Sequence, residues 1–243
     1  MKNKLHIPFF LLIHLILSAL LLTSCSDSSE KSAPPPFPDG EASSFSFFDV
    51  GRHTLLSKDL RNRLNTLLGN EAVETRTTID LTINSDSFFK THFSHFYQLN
   101  KKLNSETGER VEHNTVNIVF RYAETRELPF DYVCFLFSDD TKRPLLIKAR
   151  FKTDELNIKT RLYNEYGKPE IIMWNRNKGK SLCWKKESDI LVLSFVPDEF
   201  GNIEYELIIY FTHALEDLVN KEQKEKAEKE GKLNSPLFSN KTP

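Results

Sequence analysis

The sequence predicts an α+β fold: antiparallel sheet meanders with three to four helices packed on one side. Three observations carry that expectation. Short segments after residue 110 are apolar throughout or alternate apolar with polar residues, as strands do. Four other stretches repeat leucine, phenylalanine or valine at helical spacing. The connections between strand candidates are short and polar, such as 175–179 and 197–202, which suits hairpins.

Taken in order, ordered structure is expected to begin with Phe45, Phe47 and Phe48, because three phenylalanines so close together are costly to leave in water. Ser57 is a good N-cap for a helix carrying Leu60, Leu64, Leu67 and Leu68 on one face, and Gly69 supplies its stop. Residues 75–83 are β-branched and alternating, with Ile79, Leu81 and Ile83 on one side of a predicted strand. A second helix is predicted over 85–103, with Phe89, Phe93, Phe96 and Leu103 on its apolar stripe.

Strands follow. Val116, Ile118, Phe120 and Tyr122 alternate, 132–137 is apolar enough for a central strand, and 145–151 is a third candidate. A helix over 154–166 ends at Gly167 with Pro169 behind it. Strands at 170–175, 181–185, 190–196 and 203–211 complete the sheet, and a last helix starts near Thr212. From 221 to 230 the chain is Lys, Glu, Gln and Ala only, and pairs such as Glu222 with Lys226 support a solvated helical extension before a tail from about Leu233. Arg63-Leu64 before Gly69 and Arg161-Leu162 before Gly167 form an internal echo. Two helix-meander units with a break near 152 would explain it, and so would ordinary helix-end chemistry.

The amino terminus carries the most specific signal. Two lysines in residues 1–4 precede a run from 7 to 22 that is apolar apart from His14 and Ser18. That run is short for a membrane span, and with small residues behind it reads as a secretory signal. Leu22-Thr23-Ser24-Cys25 then resembles the lipobox of bacterial lipoproteins. The resemblance implies cleavage before Cys25, lipidation of that cysteine and acylation of the new terminus, with residues 1–24 as the signal peptide. It implies an envelope location, and Ser26 in place of aspartate points to the outer membrane facing the periplasm in a Gram-negative source. Residues 25–44 are rich in Ser and Pro, including Pro34-Pro35-Pro36, and read as a linker. The domain proper is then 45–220, with 221–243 as charged extension and tail.

Removing 1–24 takes away two lysines and no acids, leaving 31 basic and 34 acidic side chains. That balance gives no basic footprint for nucleic acid. No P-loop, G-x-S-x-G, H-E-x-x-H, G-x-G-x-x-G or C-x-x-C motif is present. Cys134 and Cys183 are a possible disulfide in an oxidising compartment, though both lie in apolar strand-like runs. His92 and His95, three apart on the second helix, are weak candidates for a metal that would need further ligands. Trp174 and Trp184 with Tyr163 and Tyr166 are candidates for a ligand groove, if the turn after 174 brings the tryptophans onto one face.

The expected function is a membrane-anchored envelope lipoprotein acting as a non-catalytic binding or scaffolding module. Its partners are the membrane, through the anchor, and another envelope protein; no cofactor is expected. Glycine-ended helices before antiparallel meanders resemble, in architecture, the small outer-membrane-assembly lipoproteins. The alternative is a carrier or sensor for a hydrophobic ligand, using a space between the aromatic helix and the sheet. An enzyme is a third reading, which a buried carboxylate or a complete histidine cluster in a cleft would favour.

Overall fold

A computed structural model describes residues 44–105, 109–121, 128–154, 156–175, 178–197 and 200–233. The signal segment, Cys25, nearly all of the linker and the tail after 233 lie outside the described residues. Among those described, no helix is long and apolar enough to cross a membrane.

The domain opens with a two-residue hairpin, β1 (Ser46–Phe47) and β2 (Val50–Gly51). Phe48 and Asp49 both take positive φ in its turn, the conformation that matches the twist of paired strands. Phe48 adopts it at a steric cost that its burial offsets, since Phe45, Phe47, Phe48 and Val50 are all buried. The early phenylalanines therefore dock on the domain, as their clustering predicts.

Helix α1 (Lys58–Leu68) starts where expected: Ser57 Oγ accepts from the Leu60 amide at 3.1 Å. It stops at Gly69, whose φ of 96° carries the chain out of the helix. Next comes β3 (Glu71–Thr75) and, after an excursion through residues 76–114, the meander β4 (Thr115–Arg121), β5 (Phe130–Ser138) and β6 (Pro144–Phe151), with β3 pairing on β4. Helix α4 (Ile158–Tyr166) then ends at Gly167 and feeds a second meander: β7 (Glu170–Trp174), β8 (Gly179–Lys186), β9 (Asp189–Pro197) and β10 (Ile203–Tyr210).

The two meanders share one eight-stranded antiparallel sheet in the order β3-β4-β5-β6-β10-β9-β8-β7. Their last strands pair at its centre, with Tyr205 opposite Phe151 and Tyr210 opposite Leu146. Both α1 and α4 end at a glycine and lead into an outer strand of this sheet, but 39 residues, including two helices, separate β3 from β4, while β7–β10 are consecutive.

Helices cover both faces of the sheet, not one. On the first face, Leu60, Leu64 and Leu68 of α1, Ile158 and Leu162 of α4, and the hairpin phenylalanines pack on Ile118, Phe135, Ile147, Leu193 and Leu207. The second face is covered by α2 (Asp86–His92), α3 (Ser94–Leu103) and the terminal helix α5 (Thr212–Leu233), over Leu136, Leu146, Val192, Ile208 and Tyr210. The predicted helix over 85–103 is therefore two, broken at Phe93, whose φ and ψ of −130° and 50° are not helical. Phe93 stays buried there, so the apolar stripe runs through the break.

The predicted strand over 75–83 also differs. Arg76 turns the chain with a positive φ at the end of β3, and residues 77–83 leave the ladder. Ile79, Leu81 and Ile83 remain buried in the second-face core, which accounts for their alternation. Side chains replace the missing ladder bonds: Asn100 accepts from the Leu81 amide at 2.9 Å, and the Tyr210 hydroxyl donates to the Leu81 carbonyl at 2.8 Å.

Candidate functional site

The second face is only partly covered, and its open part carries the polar side chains. Register places Arg121 of β4 opposite Tyr132 of β5, and Tyr132 opposite Arg150 of β6. The row continues through Glu206 of β10, Ser194 of β9 and Ser181 of β8. Successive cross-strand pairs share one face and lie about 5 Å apart, so these residues form a polar line across the sheet. A groove of about 550 Å³ lies along that line, lined also by Asn84 and Trp174.

Two arginines flank one ring. The Arg150 guanidinium lies 4.9 Å and that of Arg121 5.5 Å from the Tyr132 ring centre, within cation–π range. Burial holds the Tyr132 hydroxyl above the usual phenol range, while the guanidiniums pull the other way. Neither arginine has a carboxylate within ion-pair distance among the described residues, whereas Glu206 is paired with Lys148 at 3.1 Å and Asp131 with Lys152 at 3.7 Å.

The far end of the groove has a defined hydrogen-bond polarity. Trp174 Nε1 donates to Ser181 Oγ at 2.9 Å, and Asn84 Nδ2 donates to it at 3.2 Å. With both lone pairs engaged, the Ser181 proton goes to Ser194 Oγ, 2.6 Å away. Ser194 therefore keeps its own proton to donate where it lines the groove. The Trp174 ring covers Gly179, whose absent side chain leaves the room: a Cβ there would lie 2.4 Å from a ring carbon.

The four aromatic groove candidates are not brought together. Trp174 lies on the second face against Phe88, at 5.6 Å between ring centres. Trp184 has the opposite parity and packs on the first face with Tyr163, at 5.9 Å edge-on, donating to the Gly167 carbonyl. Tyr166 meets Phe45 at 5.0 Å, also on the first face. Pairing of Trp174 with Gly179 and of Glu170 with Cys183 sets that parity. One groove lined by all four does not form.

Cys134 and Cys183 are free and buried. They sit on β5 and β8, four strand spacings or about 19 Å apart, beyond the reach of a disulfide. Burial pushes each thiol up to about 11, the opposite of what a nucleophile needs. His92 lies against Phe88, and His95 is across the helix break, 3.0 Å from Glu216 of α5. Among the described residues, no cluster of three His, Cys, Asp or Glu side chains is placed to hold a metal.

Among the described residues one carboxylate, that of Asp189, is fully buried, and its contacts hold the fold together. Asp189 Oδ2 accepts from Arg52 Nε at 2.7 Å, and Oδ1 accepts from the Thr212 amide at 3.0 Å. It thereby ties the amino-terminal hairpin to the first turn of α5.

The sheet's outer strands also differ in character. On β7, Ile171 and Met173 are 47 % and 46 % exposed, and no lysine or proline interrupts the strand. β3 has Val73 exposed between Glu71 and Glu74, with Glu71 bound by Arg61. No protein-family model matches this chain, and neither curated proteins nor solved structures match it.

Proposed function

We propose that this chain is a lipid-anchored envelope protein whose folded domain is a non-catalytic binding or scaffolding module, engaging a partner protein along β7. The observation that carries the reading is the bare edge of that strand. An outer strand presents unpaired backbone groups, and proteins usually blunt such edges with charge, proline or a covering element. β7 has no strand on its outer side among the described residues and exposes Ile171 and Met173. Its one charged residue, Glu170, is paired with Lys185 on β8. An extended segment of an envelope protein would add to this edge as a ninth strand and cover both apolar side chains. The anchor inferred from Leu22-Thr23-Ser24-Cys25 would hold the module at a membrane, within reach of such a partner.

A carrier for a hydrophobic ligand is the weaker reading. Phe89, Phe96 and Tyr210 pack the interface between α2, α3 and the sheet, with Phe96 stacked on Tyr210 at 4.5 Å. The test is crosslinking in the native membrane, followed by affinity capture and mass spectrometry for proteins and lipids. A stoichiometric protein partner that is lost in an Ile171→Lys/Met173→Lys variant supports the module. Bound lipid without protein, or a partner retained by the variant, overturns it.

A further inference from the structure

We propose that the open second face of β4, β5 and β6 binds a phosphate group, held by Arg121 and Arg150 on either flank of Tyr132. The site is separate from the β7 edge and does not depend on it. Exposed arginines normally find a carboxylate when one is near. Here the neighbouring Asp131 and Glu206 are each taken by a lysine, and among the described residues both arginines are left to the Tyr132 ring. A cation–π contact uses the face of the guanidinium and leaves its in-plane N–H donors free. Those donors are the fork that recognises an oxyanion bidentately.

The number of donors decides between anions. Two guanidinium forks present four N–H donors, which a carboxylate meets only by sharing each of its two oxygens between both forks, while a phosphate offers three or four oxygens and so separate acceptors for each fork. Beyond Glu206, Ser194, fixed by the Ser181 network, and the Asn84 amide offer donors to the non-phosphate part of the ligand. Tyr132 gives the adjoining part of the ligand an aromatic surface to lie against, and Trp174 lines the far end of the groove. Past Arg150 the groove turns acidic, with Glu206 directly opposite it on β10 and Glu204 on the same strand. That field repels an anion running the length of the groove, so the ligand carries its phosphate at one end and is not a polyanion such as a nucleic-acid strand.

A phosphate of this kind belongs either to a free phosphorylated small molecule or to a phospholipid headgroup. The test titrates the full mature chain with inorganic phosphate and, separately, with dihexanoylphosphatidylglycerol below its micelle threshold, at constant ionic strength. Isothermal titration calorimetry follows binding at the arginines, because both tryptophans lie on β7 and β8, three or more strand spacings away. Saturable binding of inorganic phosphate, weakened about tenfold or more by Arg121→Gln or Arg150→Gln, is expected and points to a free phosphate compound. Saturation by the lipid alone, with the same arginine dependence, supports the site and assigns it to a headgroup. Arg150→Lys should fall between wild type and Arg150→Gln, because it keeps the charge and loses the fork. Both arginines are exposed, so the variants fold, which circular dichroism checks. No saturation by either ligand, or binding undiminished in both glutamine variants, overturns the proposal.

Discussion

Alkaline pH should loosen this domain, and the two buried thiols set how much. In the folded state burial raises Cys134 and Cys183 from an ordinary value near 9 to about 11. The thiol form is favoured by folding, so its stabilisation is fully present below about pH 9 and is lost as pH rises through 11. At about pH 10 the unfolded chain ionises both groups while the folded chain keeps most of its protons. The difference is about 1.4 kcal/mol for each cysteine, or about 3 kcal/mol for the pair. With a urea m-value of about 2 kcal/mol per molar, the midpoint should fall by about 1.5 M between neutral pH and 10. Burial also raises Tyr132, Tyr166 and Tyr210, but their loss begins about a unit higher, where unfolded phenols ionise. The assay is urea unfolding followed by circular dichroism at stepped pH, for wild type and Cys134→Ala/Cys183→Ala. Alanine costs some packing at every pH, so the slope with pH is the quantity compared. The double variant should lose most of that slope below pH 10. An unchanged slope, or native thiols that ionise at an ordinary pH by thiolate absorbance, would refute the reasoning.

Three further substitutions probe how the domain is held. Asp189→Ala should cost about 3 kcal/mol in urea unfolding, because Arg52 loses its buried partner and α5 loses the acceptor for Thr212, whereas Asp189→Asn, which keeps an acceptor, should cost less. Gly179→Ala should displace the Trp174 ring, break its bond to Ser181 and cost about 2 kcal/mol, with red-shifted emission; adding Trp174→Ala should recover part of the loss. His113 bonds the Leu103 carbonyl at 2.8 Å and Glu222 at 2.7 Å, so His113→Ala should cost about 1–3 kcal/mol. Its hydrogen-exchange signature should be faster exchange in α5 beyond Lys221 and little change around Leu215.

Local rules account for what was legible in the chain. Ser57, Gly69 and Gly167 mark helix ends through their own backbone chemistry, and the structure places them there. Strand segments such as 132–137 and 190–196 declare themselves by β-branched and aromatic content. What depends on partners in space was not legible. The alternation of 77–83 reports burial, which a segment held by Asn100 and Tyr210 achieves without a ladder. The stripe of 85–103 continues through Phe93 because both helices face the same core. Which face a helix covers is decided by the path of its connections, so α1 and α4 part from α2, α3 and α5. The separation of Cys134 from Cys183 follows from strand order, and that of Trp174 from Trp184 from one register. The line Arg121–Tyr132–Arg150 escapes the sequence entirely, since three isolated residues on three strands meet only through pairing, past a register shift at Phe130.

The most direct test of the module reading places a photo-crosslinking amino acid at position 173 on β7, and in a parallel protein at 73 on β3, within native membranes. Val73 is 41 % exposed and Met173 46 %, so the two probes are equally accessible and differ in the edge they sit on. One discrete protein adduct is expected from position 173 and none of that mass from 73. No adduct at 173, or the same adducts at both positions, would contradict the module reading.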